Sequence, residues 1–92
     1  MIYEYVLNPK YDSCKSFNNK AIVECLNSTQ TLYSYRTKVA KIENGKITLY
    51  SAWDCSQTTL RHVKEFLRQN NVCIDNITDI RNLIKSGDIS EC

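Results

Sequence analysis

The spacing of apolar residues changes once along this chain, and the change divides it in two. As far as Trp53 they alternate with polar residues or cluster in short β-branched and aromatic runs; from Gln57 onward they recur every three or four positions. A period of two marks a half-buried strand, and a period near 3.6 marks an amphipathic helix. Ile2 to Leu7 reads as a short strand closed by Asn8-Pro9. Ala21 to Leu26 and Thr31 to Tyr35 read as a strand pair around a turn at Asn27-Ser28-Thr29, with Glu24 marking one face as wet. Lys38 to Trp53 holds two alternating runs joined by Asn44-Gly45, which supplies the positive φ angles of a two-residue type I′ turn. That turn sets the register: Glu43 faces Lys46 as a charge pair, Ile42 faces Ile47, and Ala40 faces Leu49. Ala40, Ile42, Ile47 and Leu49 then share one apolar face, and Lys41, Thr48 and Tyr50 fall on the other.

The helical half opens at Ser56, whose hydroxyl can accept from the N–H of Thr58 or Thr59, while Cys55 packs on Leu60 as a staple. A helix from Gln57 buries Leu60, Val63, Phe66 and Leu67 and leaves Arg61, Lys64, Glu65 and Arg68 for water. Val72-Cys73-Ile74 is a short apolar bridge, either extended or a single turn. Asp75-Asn76 offers the next cap, Ile77, Ile80, Leu83 and Ile84 form a second stripe, and Gly87 stops a helix of about three turns. Tyr11 to Asn19 is polar and reads as a loop anchored by Phe17, with a turn at Asn18-Asn19; Asp88 to Cys92 reads as a frayed tail. Strands first and helices afterwards predict an α+β fold: an antiparallel sheet of three to five strands with two C-terminal helices packed on one face. At 92 residues the chain is expected to be one domain, 1–92, with a single modest core.

Composition narrows the chemistry. A formal charge of +2, from 12 basic and 10 acidic side chains, gives no bulk attraction for nucleic acid. Five cysteines, at 14, 25, 55, 73 and 92, are odd in number and widely spaced, and no charged start with an apolar follow-on marks secretion, so reduced thiols in a cytoplasmic setting are expected. No apolar run approaches the ~20 residues of a membrane span.

Four groups of residues could carry function. Thr58, Arg61, His62 and Glu65 share a polar stripe of the first helix, which is either a recognition strip or a structural edge in which Arg61 pairs with Glu65 and His62 packs on Phe66. His62 with Cys55 or Thr58 could suggest a nucleophile and base, but no carboxylate is placed to orient the imidazole, and no enzymatic activity is expected. Cys14, Cys25, Cys55, Cys73 and His62 lack the paired spacing of zinc knuckles; no metal or other cofactor is expected, and Cys25 and Cys73 suit a core. Tyr33, Tyr35 and Tyr50, near Arg36, Lys38 and Lys41, could make an aromatic and basic sheet face able to stack bases or meet a protein.

The run Ser56, Thr58, Thr59, Arg61, His62, Val63, then Phe66, Leu67, Gln69 and Asn70, following an Asn-Gly hairpin, resembles a family of small uncharacterised bacteriophage and prophage proteins. Its pattern is Ser-x-Thr-Thr-x-Arg-His-Ile followed by Phe-Leu-x-Gln-Asn. Thr31-Leu32-Tyr33-Ser34-Tyr35 and Val39-Ala40 resemble its upstream strands, so the likeness spans Lys20 to Asn71. Asp54-Cys55 departs from the pattern, and the second helix has no counterpart in it. The resemblance lends no activity. It implies a phage-type origin, action in the host cytoplasm and a non-enzymatic role in blocking a host protein or nucleoprotein, anti-defence proteins such as CRISPR-Cas inhibitors being one such class. The expected contact residues are Arg61, His62, Lys64, Arg68, Tyr33, Tyr35 and Tyr50. The alternative expectation is a small nucleic-acid-binding accessory or regulatory protein.

Overall fold

The computed structural model describes residues 2–11, 15–17 and 19–91, with Ile2 described at its backbone alone. Five strands come first: β1 (Ile2–Val6), β2 (Ala21–Leu26), β3 (Thr29–Ser34), β4 (Thr37–Glu43) and β5 (Lys46–Leu49). Two helices follow, α1 (Gln57–Gln69) and α2 (Ile77–Ser86), and then a last strand, β6 (Ile89–Glu91). The fold is therefore α+β, with strands ordered β1-β2-β3-β4-β5-β6 in one sheet. The first five form an antiparallel meander and β6 lies parallel to β5. Among the described residues, no helix is long and apolar enough to cross a membrane.

The hairpin register follows the Asn-Gly rule: Ala40 pairs with Leu49, Ile42 with Ile47 and Glu43 with Lys46, around Asn44 at φ 51° and Gly45 at φ 80°. Glu43 nevertheless takes Lys41 as its charge partner, Nζ to carboxylate 3.5 Å, because residues two apart share a strand face. Strict alternation fails at one place. Leu32 pairs with Ala40 but Tyr33 pairs with Lys38, so a bulge absorbs Val39. Val39 and Ala40 are both buried in consequence, and Lys38 turns outward beside Tyr33.

Ala21, Val23, Leu32, Ala40 and Leu49 line the covered face of the sheet and form one cluster with Val63, Phe66 and Leu67 of α1 and Ile80 of α2. Both helices begin as their caps predict. Ser56 accepts from the Thr59 N–H at 3.1 Å, and Asn76 and Asp79 make a reciprocal capping box. Leu60 is only half-buried, and the Cys55 thiol lies 3.9 Å from Thr59 Oγ1.

Two expectations, one for the C-terminal tail and one for Cys73, are corrected. The expected frayed tail over residues 88–92 is not found in its described part, 88–91, for Gly87 at φ 89° ends α2 and returns the chain so that Ile89 pairs with Ile47 and is 2% exposed. Trp53 Nε1 then donates to Glu91 at 2.9 Å. Cys73 is exposed, whereas Cys25 is buried as expected. Cys14 and Cys92, and Asn18 of the expected turn, lie outside the described residues; Asn19 has the positive φ, 61°, that the turn requires.

Candidate functional site

Half of the polar stripe of α1 is turned inward, His62 and Glu65 being buried while Thr58 and Arg61 are exposed. His62 is fully buried, with Nδ1 2.7 Å from Ser34 Oγ and its ring packed edge-on against Phe17 at 4.5 Å between centroids. Ser34 Oγ lies 3.2 Å from Thr59 Oγ1, which is itself 3.1 Å from Ser56 Oγ. A hydroxyl carries one proton, so when Ser34 donates to Thr59 it accepts from the imidazole. Ser34 points into the covered face of β3, and that gives a histidine a polar partner beneath α1, which no reading of α1 alone could reveal. His62 is thus a joint between helix and sheet, and the expectation that it contacts a partner is corrected.

Glu65, expected in water, is 1% exposed. Its carboxylate accepts from the backbone N–H groups of Lys10 at 2.9 Å and Tyr11 at 3.0 Å, and from Gln69 Nε2 at 2.6 Å. Gln69 also donates to the Asn8 carbonyl at 2.7 Å. Arg68 is likewise used internally: Nε donates to the Ile74 carbonyl at 2.7 Å and Nη2 meets Asp75 at 3.1 Å. One helix face therefore holds the segment after β1 and the link to α2, by charge-assisted bonds that are roughly twice as strong as neutral ones. Arg61 is exposed and Lys64 half-buried, so of the four helix residues expected to touch a partner these two remain available on the surface.

The three tyrosines lie away from that clamp. Tyr33 and Tyr50 are half-buried on the uncovered face of the sheet, where Lys38 Nζ sits 4.6 Å over the Tyr50 ring. Tyr35 is not a strand residue: with Arg36 it forms the turn between β3 and β4, at φ 52° and 68°. Among the described residues, positive φ otherwise falls to four asparagines and two glycines, the residues for which it costs least. A tyrosine and an arginine there are strained, and strain of this kind gathers at functional sites. Tyr35 is 51% exposed and its ring lies 5.8 Å from that of His62.

Tyr35 and Arg36 stand at the lip of a groove of about 640 Å³ that is also lined by Tyr33, Ile22, Glu4, Glu24 and Lys20. Glu4 and Glu24 are direct cross-strand neighbours, an arrangement of like charges that weakens a sheet. Neither carboxylate has an ion-pair partner among the described residues. Burial first, then Glu24 and Glu4, raise the Tyr33 hydroxyl above its ordinary value. Lys41 is raised chiefly by Glu43. Charge is thus sorted across the uncovered face, acidic on β1 and β2 and mostly basic along β4 and β5, where Lys38, Lys41 and Lys46 lie.

A model for a family of unknown function, DUF8033, matches residues 5–81. The chain belongs to DUF8033. The match runs from Tyr5 in β1 to Arg81 in α2, so the α1 clamp, the strained turn and most of the groove lie within the family region of this DUF8033 chain, while β6 lies beyond it. No curated protein and no solved structure matches the chain.

The chemical alternatives in this DUF8033 chain are separated by the same geometry. Cys55 and His62 do not meet, since the thiol is directed at Thr59 and the imidazole Nδ1 at Ser34. The nucleophile-and-base spacing of Ser34 and His62 is sealed beneath α1, where the two residues are 2% and 0% exposed. No three His, Cys, Asp or Glu side chains among the described residues come together as metal ligands. Sequence reasoning missed Glu4 and Ile22 in the groove and named Arg36 only as a neighbour; Glu24, polar within an apolar strand, was the legible signal.

Proposed function

We propose that this DUF8033 protein is a non-enzymatic binding protein whose uncovered sheet face, entered over the Tyr35-Arg36 turn, docks on another macromolecule. The observation that carries this reading is the strained turn. Asn-Gly would make the same bend without strain, as residues 44 and 45 do in the next hairpin, so retaining an aromatic ring and a guanidinium at the mouth of a groove is explained by what they touch. Tyr and Arg are also the side chains most concentrated at binding hot spots. The resemblance to phage and prophage proteins supplies the biological half of the proposal: a host protein or nucleoprotein as the target, blocked in the cytoplasm, with a defence complex such as a CRISPR effector as the leading class.

Two variants compared with wild type test it. Tagged wild-type protein is expected to retain a stoichiometric partner from host extract. Arg61→Ala should retain it equally, and the Tyr35→Asn, Arg36→Gly double variant should lose it by at least about ten-fold, the loss of one hot spot. Retention by a folded double variant overturns the proposal.

A second reading, nucleic-acid binding, draws on Lys38 over Tyr50 with Lys41 and Lys46 alongside. It requires oligonucleotide affinity that falls steeply with salt. Glu4 and Glu24 in the groove oppose a phosphate backbone, which ranks this reading second.

A further inference from the structure

The sheet has one long open edge. Leu7 N–H donates to the Ala21 carbonyl at 2.9 Å, and antiparallel ladders alternate, so Tyr3 and Tyr5 bond to β2 while Glu4 and Val6 turn their N–H and C=O groups away from the sheet. Nothing among the described residues pairs with that side of β1. Edges are ordinarily blunted by proline, charged side chains, a bulge or extreme shortness, and of these the five residues Ile-Tyr-Glu-Tyr-Val carry only the charge of Glu4, which repels a like strand and not a basic one. The opposite edge, β6, has three residues. Tyr3 and Tyr5 are 60% and 41% exposed where the helix layer does not cover β1, leaving aromatic surface beside the unpaired backbone.

We propose that β1 accepts an added strand from another polypeptide, and that this strand carries a lysine or arginine opposite Glu4. The charge pattern decides the occupant. Glu4 already faces Glu24, and although Lys20 and Arg36 line the same groove neither carboxylate is in an ion pair among the described residues, so an incoming basic side chain would gain a cross-strand partner and relieve the repulsion. A second copy of this chain is disfavoured by the same residue. Ile-Tyr-Glu-Tyr-Val reads almost alike in both directions, and two-fold antiparallel pairing would set Glu4 against its own copy, with both Glu24 carboxylates flanking the pair. Main-chain bonds would provide affinity, the tyrosines would flank the added strand, and Glu4 would select charge. Glu4 also lines the groove behind the Tyr35-Arg36 lip, but the outward N–H and C=O groups belong to the β1 edge, so binding read at the β1 amides stands or falls separately from the function proposed above.

The test uses the full chain labelled for amide NMR and two short alternating valine-threonine peptides, one with a central lysine and one with glutamate in its place. The lysine peptide should shift the Glu4 and Val6 amides and slow their hydrogen exchange, binding about ten-fold more tightly than the glutamate peptide. Glu4→Lys should reverse the preference. Val6→Pro removes an outward N–H that β2 does not use, so it should abolish binding while thermal unfolding stays cooperative. The inference is overturned if neither peptide moves the β1 amides, if the two bind equally, if Val6→Pro binds as wild type while folded, or if the chain self-associates through β1 at neutral pH.

Discussion

At the scale of single residues, position on a helix proves a weaker guide to solvent than the partners waiting across the fold. Glu65 lies on the polar side of α1, yet it is buried because two backbone N–H groups, of Lys10 and Tyr11, converge on its carboxylate. Removing an acceptor that satisfies buried donors costs more than the bond was worth in water. Glu65→Ala is accordingly expected to lower stability by about 3 kcal/mol, and Glu65→Gln, which keeps one carbonyl acceptor, by roughly half as much. Urea unfolding of the three proteins checks the order. The opposite sign is expected at the strained turn. Tyr35→Asn with Arg36→Gly should raise stability by about 1 kcal/mol after allowing for the lost ring contact with His62. A gain in stability accompanied by loss of the partner would be the mark of strain kept for function.

Among the elements, β6 shows how much depends on what surrounds a short segment. Ile89, Ser90 and Glu91 have too few residues to announce a strand, but Gly87 reverses the chain and β5 offers an unpaired side. Ile89→Ala should cost about 2–4 kcal/mol, as for other buried large-to-small changes, and should raise hydrogen exchange at Ile47 and Leu49, whose amides face β6, before the rest of the sheet. The bulge in β4 works at the same scale. By absorbing Val39 it sends Lys38 to the face that holds Tyr33 and Tyr50, so one extra residue decides which side of the sheet a cation occupies.

For the whole molecule, one covered and one uncovered sheet face produce a pH dependence. Tyr33 is raised by burial and then by Glu24 and Glu4, Tyr5 by burial ahead of Cys25, and Tyr3 by its hydrogen bond with Cys25. Each keeps its proton in the folded state at a pH where the unfolded chain has lost it. Their contribution is therefore complete below the ordinary value of 10.0 and is lost as pH rises through the raised folded values. Denaturant midpoints should fall on passing above pH 10, and Glu24→Gln should bring the Tyr33 titration, followed by ultraviolet absorbance, back toward 10.0. Legibility divides along the same line between local and distant. Asn44-Gly45, Ser56 and Asn76 act within a few residues of themselves, so the hairpin register, both helix starts and the α+β order were readable from the chain alone. The same holds for the stripes that feed the core, because the side-chain period reports which face is oily. The burial of His62 and Glu65, the parallel β6 and the groove between Glu4 and Tyr35 depend on residues 28 to 55 positions apart meeting in space, and only tertiary structure could decide them. Polar groups are buried where a distant partner satisfies them, and the local pattern carries no record of that partner.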